Sequence, residues 1–388
     1  MRFFYFYPSY SAPSGGNKQL RLQGQILTEL GHEVFLVRDE KYFDQPSQYE
    51  DDHLYSIPLP LWGKPIADAL VELRREDVLV LPEGKLDSLL PDCISTRARI
   101  VINNQNGFYA LRYFPKDPAL CRRIDAVISN SPYNCTVSRV AYQIPASRLF
   151  YVPHWVVRGN FELSNLENTP KKVGICYMPR KLPEIVDRVR MATQKLFPEV
   201  PWIEIDKVPE SVVAERFRTH TMFFAAQHLE GCPLTALEAM ACGCLVAGFP
   251  GTENFTHPYA NEGNGFWAKD NDVESAIRCV ANMIEDSRSN PAKVQAMQEN
   301  GIRTSQNYSK QSVSQALKRF VAGLEIRGVG TGTSDDRTML NPVSQEQWIW
   351  SDYLFAQRKM YHYGRLTGFA GRLASALAFL RNAGKRRA

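Results

Sequence analysis

No stretch of this sequence approaches the ~18 consecutive apolar residues that a membrane-spanning helix needs. The N-terminus, MRFFYFYPSYSAPSGG, carries a short apolar patch cut by Pro8, with no basic leader before it. No signal peptide is expected from such a start. The eight cysteines (Cys93, Cys121, Cys135, Cys176, Cys232, Cys242, Cys244 and Cys279) include no CxxC pair. Cys242 and Cys244 bracket a glycine but have no matching Cys/His pair elsewhere, which argues against zinc. Reduced, buried thiols are expected instead, in a cytoplasmic protein. Low-complexity tracts are missing too. Acidic residues are absent from Tyr353 onward, where eight Lys/Arg remain, leaving 38 basic and 41 acidic residues upstream. The body is thus mildly acidic and the tail basic, which does not suit nucleic-acid binding along the chain.

What is present is 388 residues with 44% hydrophobic content, a length that suits two cores better than one. Short apolar runs alternate with helical patterns, as in parallel βαβ units. Phe3 to Tyr7 reads as a first strand. A loop holding Ser14-Gly15-Gly16 follows, then a helix with Leu20, Ile26, Leu27 and Leu30 that ends at Gly31. Further strands are expected at 33–37, 78–81, 100–103, 126–129 and 149–152, and Pro153-His154-Trp155 reads as a crossover. A second series follows, with strands at 172–177, 202–205, 222–226 and 245–249. Its helices are expected at 182–196, 233–241, 276–283 and 313–324. The expected organisation is an α/β protein of two doubly wound domains, residues 1–155 and 156–327. A linker and basic helical region, residues 328–388, completes it. Ligands belong at the carboxyl ends of such strands.

The most informative segment is HLEGCPLTALEAMACGCLVAGFPG, residues 228–251. Pro233 suits the first turn of a helix and Gly243 its end. The unpaired amides of Leu234 and Thr235, at the positive end of the helix dipole, would then attract a phosphate. Glu230 precedes this helix and Glu238 lies about five residues into it, several ångströms further along at ~1.5 Å per residue. Two carboxylates flanking an anion site suit hydroxyl groups on either side of it. A nucleotide sugar offers that order: ribose, diphosphate, hexose.

This segment resembles the signature of glycosyltransferase family 4 and its GT-B relatives, in which two Rossmann-like domains face a cleft. The similarity runs over residues 1–325 in element order and is sharp over 228–251. The resemblance implies a retaining transfer from a nucleotide-diphosphate sugar to a glycan, polysaccharide or lipid-linked acceptor, with no metal or other cofactor. It implies that Glu230 contacts the donor sugar, that Glu238 takes the ribose diol, and that the amides after Gly231, from Cys232 on, receive phosphate and sugar oxygens. Base contacts are implied near Ile205 to Val208. The family sets an Arg and a Lys about five residues apart after the first strand of the second domain. Here Arg180 and Lys181 are adjacent. Arg180 is the preferred phosphate ligand, since a guanidinium bridges two oxygens; Lys181 either joins it or faces solvent. Gly15 and Gly16 are similar to the glycines that approach the diphosphate closely. Where many members carry a histidine, this chain has Asn103-Asn104-Gln105-Asn106-Gly107. Gln105 and Asn106 are candidates for the acceptor side, or simply cap turns. Glu253 is similar in position to a loop that closes on the donor. Asp270-Asn271-Asp272 matches a DxD metal motif by spelling alone and is not expected to bind metal.

The tail has a helical stripe of Leu366, Phe369, Ala370, Leu373, Leu377 and Leu380 flanked by Arg365 and Arg372. It suits peripheral contact with the cytoplasmic face of a membrane, or packing on the protein itself. A non-catalytic nucleotide-sugar-binding protein of the same fold is the alternative function. An oxidoreductase is disfavoured because the first domain lacks GxGxxG, and a sugar-nucleotide epimerase does not predict the Glu230–Glu238 segment.

Overall fold

The computed structural model describes residues 1–8, 14–38, 59–62, 64, 66–115, 117–141, 144–157, 159–162, 170–251 and 259–326. The expected C-terminal linker and the Leu366–Leu380 stripe lie outside the described residues.

The chain runs β1 (Arg2–Phe6), α1 (Gly15–Glu29), β2 (Glu33–Val37), β3 (Leu61–Trp62), α2 (Ile66–Glu72), β4 (Val78–Pro82), α3 (Leu86–Cys93), β5 (Arg99–Asn104), α4 (Gly107–Tyr113), α5 (Pro118–Arg122), β6 (Ile124–Ser129), α6 (Pro132–Ala141) and β7 (Leu149–Tyr151). After the crossover come β8 (Lys172–Tyr177), α7 (Pro183–Leu196), β9 (Trp202–Glu204), α8 (Glu210–Thr219), β10 (His220–Ala226), α9 (Leu234–Ala241), β11 (Leu245–Phe249), β12 (Phe266–Trp267), α10 (Val273–Ser289), α11 (Pro291–Gln306) and α12 (Lys310–Ile326).

The first set of strands forms a sheet of order β3-β2-β1-β4-β5-β6-β7 and the second a sheet of order β12-β11-β10-β8-β9. Every strand pair in both is parallel. Parallel sheets need helices on both faces, which is why central strands such as β4 (VLVLP) are buried from end to end. Each sheet therefore has two apolar clusters, one per face.

The order of each sheet reverses once, between β1 and β4 in the first and between β8 and β10 in the second. A crevice opens at the carboxyl ends of strands at such a reversal. The loops after β1, β4, β8 and β10 are therefore the ones aimed at a ligand. They hold Gly15-Gly16, Glu83, Arg180-Lys181 and Glu230-Gly231.

Helix α12, which the expected division places at the end of the second domain, packs on the first sheet. Its Val313, Leu317, Phe320 and Leu324 join Phe3, Tyr5 and Val101 in one cluster, with Phe320 edge-on to Phe150 at 5.3 Å. Two hydrogen bonds tie α1 to the crossover: Gln19 Nε2 donates to the Trp155 carbonyl at 2.9 Å, and the Trp155 amide donates to Gln19 Oε1 at 2.8 Å. The crossover is thus held at both ends of one side-chain amide, that of Gln19.

Candidate active site

The loop between β10 and α9 is anchored before its acidic residue is reached. Leu229 has φ +50°, a left-handed conformation uncommon for a bulky residue. Such a conformation costs on the order of 1–3 kcal/mol and persists where the surroundings over-determine it. Here they do. The Leu229 side chain is buried in the apolar cluster of the first sheet, together with Phe108, Tyr133 and Val137. Its carbonyl accepts from Asn106 Nδ2 at 2.8 Å. The next residue, Glu230, donates its amide to the Gly251 carbonyl at 2.7 Å, and Gly251's own amide is held by Asp270 Oδ1 at 2.7 Å. The Glu230 carboxylate, mostly buried, is ion-paired with Lys181. Lys181 therefore reaches the acidic loop from the end of β8. Arg180 beside it is exposed.

Gly231 lies tight against the first domain. An added Cβ would lie 2.3 Å from Asn134 Nδ2, 2.4 Å from the Gln105 carbonyl and 3.0 Å from Asn130 Oδ1. These three groups belong to one network. The Gly107 amide donates to Asn134 Oδ1 (2.8 Å), Asn134 Nδ2 donates to Asn130 Oδ1 (2.6 Å), and Asn130 Nδ2 donates to the Gln105 carbonyl (2.8 Å). Asn130 Nδ2 also meets His154 Nε2 at 2.8 Å. Burial drives the His154 pKa down to about 3, so the ring is neutral. An accepting Nε2 then leaves the proton on Nδ1.

Helix α9 begins at Leu234 with Pro233 as the preceding cap, one position later than expected. Its first amides have no intrahelical acceptor. Gly15, at the start of α1, approaches this end so closely that a Cβ would touch Leu234 Cδ1 at 3.1 Å. The starts of α1 and α9 therefore face each other. Thr235 Oγ1 accepts from Gln227 Nε2 at 2.7 Å. Gln105 Nε2 donates to the Gly16 carbonyl at 3.2 Å, while its buried Oε1 has no hydrogen-bond partner. Asn106 is engaged at both ends of its amide, since Oδ1 caps α4 through the amides of Phe108 and Tyr109 and Nδ2 reaches Leu229. Cys232 is buried, which pushes its thiol up to about 12 and leaves it un-ionised.

Glu238, on α9, is buried. Its Oε1 lies 3.4 Å from the Nζ of Lys18, which comes from α1, and Lys18 also pairs with Glu210 on α8. Burial raises the Glu238 pKa, Lys18 opposes this and Glu210 adds to it; the net direction is upward. For Lys18, burial works against the charge, but Glu238 and then Glu210 outweigh it and the pKa is raised. One ammonium thus serves two carboxylates.

The sequence reading missed Lys18, Glu83, Asn130, Asn134, His154 and Leu229. Glu83 is buried after β4 at the reversal of the first sheet. Burial pushes its carboxyl up to about 7, against the backbone amides of Glu83, Gln105 and Asn106 that favour the charge. Its position at a predicted strand end was the available signal. Glu253 lies outside the described residues. Asp270 and Asp272 both accept from backbone amides, of Gly251 and Ser275. Among the described residues no group of three or more His, Cys, Asp or Glu side chains is placed to hold a metal ion, and no helix is long and apolar enough to cross a membrane.

Known proteins share this architecture. Sucrose-phosphate synthase from Thermosynechococcus elongatus superposes with a TM-score of 0.61, at 13% identity, over 84% of this chain and 100% of that one. Anabaena HepE, solved with UDP and glucose, superposes with a TM-score of 0.60, at 12% identity, over 83% of this chain and 99% of that one. The fold is GT-B. Within it, residues 195–304, which contain Glu230 and Glu238, match the family of glycosyl transferases group 1. By sequence the chain is 23% identical over 263 residues to an alpha-1,6-glucosyltransferase of Actinobacillus pleuropneumoniae serotype 7, across 66% of this chain and 77% of that protein.

Proposed function

We propose that this protein is a retaining glycosyltransferase of the family 4 type, moving a hexose from a nucleoside-diphosphate sugar to a glycan or lipid-linked acceptor. The observation that carries this reading is the meeting of four groups at the two sheet reversals. The Glu230–Lys181 pair and the start of α9 belong to the second domain, and the Gly15-Gly16 start of α1 faces them from the first.

In this reading the diphosphate lies between the two helix starts, where unpaired amides and both helix dipoles favour an anion. Glu238 accepts the ribose hydroxyls and Glu230 the sugar hydroxyls. The acceptor hydroxyl attacks the anomeric carbon on the face from which the diphosphate departs. The carbon–oxygen bond to the acceptor forms as the bond to the diphosphate breaks, and the hydroxyl proton passes to a diphosphate oxygen. Lys181, with Arg180 next to it, meets the negative charge that grows on the leaving group, so side-chain cations do the work that a metal ion does elsewhere. Gln105 Oε1, buried and unpartnered at the Gly16 side, is an acceptor for a ligand hydroxyl.

UDP-glucose is the first donor to try, because HepE was solved with UDP and glucose. A thermal-shift screen with UDP, GDP, dTDP, ADP and CMP tests the reading. A ligand bound only by the folded state raises apparent stability by mass action. One nucleotide should raise Tm in a concentration-dependent way, and that nucleotide's hexose should be released or transferred. If none of the five shifts Tm, the donor-site assignment fails.

A further inference from the structure

We propose that Lys18, supplied by the first domain, is a positioning residue that keeps the buried Glu238 in its carboxylate form to receive the ribose hydroxyls. Nucleotide binding in the second domain then depends on the first domain being closed over it. The inference rests on the reading of Glu238 as the ribose ligand.

Three observations carry it. Lys18, the fourth residue of α1, extends to Glu210, Glu238 and Phe161 of the other domain. Its side chain is 7% exposed, against 11% for Glu210 and 8% for Glu238. Its Nζ also sits 5.3 Å from the Phe161 ring centroid. An unpaired carboxylate at such a depth takes up a proton, because burial disfavours its charged form. A protonated Glu238 would keep one acceptor oxygen and lose the charge that strengthens a hydrogen bond from a hydroxyl.

The two contacts of Lys18 differ. Glu210 is held at both oxygens, by Lys18 on Oε2 and by Asn160 Nδ2 on Oε1 at 2.9 Å. Glu238 is met at the longer distance of 3.4 Å. A ribose diol can therefore replace the longer contact while Glu210 keeps Lys18 in place and compensated. The charged groups that face Glu238 are Lys18 from α1 and Glu210 from α8. The thiol of Cys242, just past α9, is pushed up by burial and is neutral. Against α11 the end of α9 meets a neutral amide, with Gln298 Nε2 on the Gly243 carbonyl at 2.8 Å.

The test is calorimetric titration of UDP, or of the nucleotide the screen selects, into the full chain between pH 6 and 8.5. Loss of a charged partner predicts that Lys18→Met binds UDP about tenfold or more weakly at pH 6.5, with a smaller loss at pH 8.5. The pH at which affinity falls off moves up in Lys18→Met, is restored by Lys18→Arg, and moves down in Glu210→Gln, where the like charge is gone. In a Glu238→Gln background the Lys18→Met change should add little. Wild-type affinity in Lys18→Met at every pH, or an equal loss at every pH, overturns the proposal. If Lys18→Met does not fold, an unmoved profile in Glu210→Gln overturns it. Failure of the wild-type protein to bind any of the five nucleotides would instead remove the ribose reading itself.

Discussion

Alanine at position 231 should force the two domains apart at the donor site. The new methyl group would sit 2.3 Å from Asn134 Nδ2 and 2.4 Å from the Gln105 carbonyl, where ordinary contact starts near 3.4 Å. Neither neighbour can step aside cheaply. The Gln105 carbonyl is backbone and holds Asn130, and Asn134 is fixed between Asn130 and the Gly107 amide. The walls must therefore separate by about 1 Å, and a misplacement of that size costs on the order of 100-fold in rate. Overpacking costs about 1–3 kcal/mol. Opening the cleft here also draws on Leu229, two residues away and buried in the first domain's core, so the stability loss should lie toward the upper figure. Gly159→Ala, whose Cβ would meet nothing within 4 Å, is the control. Donor hydrolysis and transfer rates, Tm, and the radius of gyration by small-angle scattering give the readouts. Wild-type turnover and an unchanged radius in Gly231→Ala would refute the reasoning, because the close approach would then not belong to the working state.

Three further outcomes are expected. Glu238→Ala should weaken binding of the free nucleoside diphosphate by ~1–3 kcal/mol, the cost of an unpaired buried polar group; unchanged affinity in a folded variant removes Glu238 from the ribose. Lys181→Ala should lower turnover on the order of 100-fold, as loss of an oxyanion partner does, with the exposed Arg180→Ala losing less; wild-type rates in both variants place the leaving-group site elsewhere. Glu83, pushed up to about 7 by burial, keeps a proton in the folded state that the unfolded chain has already released. Stability contributed by that neutral form is full below the ordinary carboxylate pKa of ~4.3 and is lost as pH rises toward 7, by on the order of 3 kcal/mol. Glu83→Gln should flatten this decline in denaturant titrations between pH 4.5 and 8, and parallel curves for the two proteins would show that Glu83 does not titrate there.

The strands of both sheets were legible because a parallel strand buried on both faces is a short apolar run, as in Phe3–Tyr7 and Val78–Leu81. Helix α9 was legible from Pro233 and Gly243, which mark its ends for reasons of backbone geometry alone. Shorter pieces were not. β3 is two residues long and α8 has a polar sequence, ESVVAERFRT, whose buried side is only Ala214 and Phe217. Helix α12 was recognised as a helix, but its partner was not. A stripe of Val313, Leu317, Phe320 and Leu324 states that something covers it and leaves open which sheet does so.

The same asymmetry separates the parts of the site. Glu230, Gly231 and Glu238 stand close together in sequence, so their spacing along a loop and one helix is a local property that can be read. Lys18 and Glu238 are 220 residues apart, and Asn106 and the Leu229 carbonyl 123 apart. No periodicity links such pairs, because each is created by the way two finished sheets face each other. Two of the residues that went unread, Lys18 and Leu229, have their partners across the cleft. Asn130, Asn134, His154 and Glu83 are held within the first domain, by loops 20 or more residues apart in sequence. Each of the two carboxylates is tied to the first domain by a different physical interaction. Glu238 is tied by an ion pair with Lys18. Glu230 is tied through its neighbour Leu229, whose apolar side chain is buried in the first domain's core at a left-handed backbone. Opening the cleft would break both ties at once, leaving Glu238 without its cation and Leu229 exposed in a conformation that nothing then enforces. The second domain carries the motif by itself, but the surroundings of its two carboxylates are completed only by the first domain.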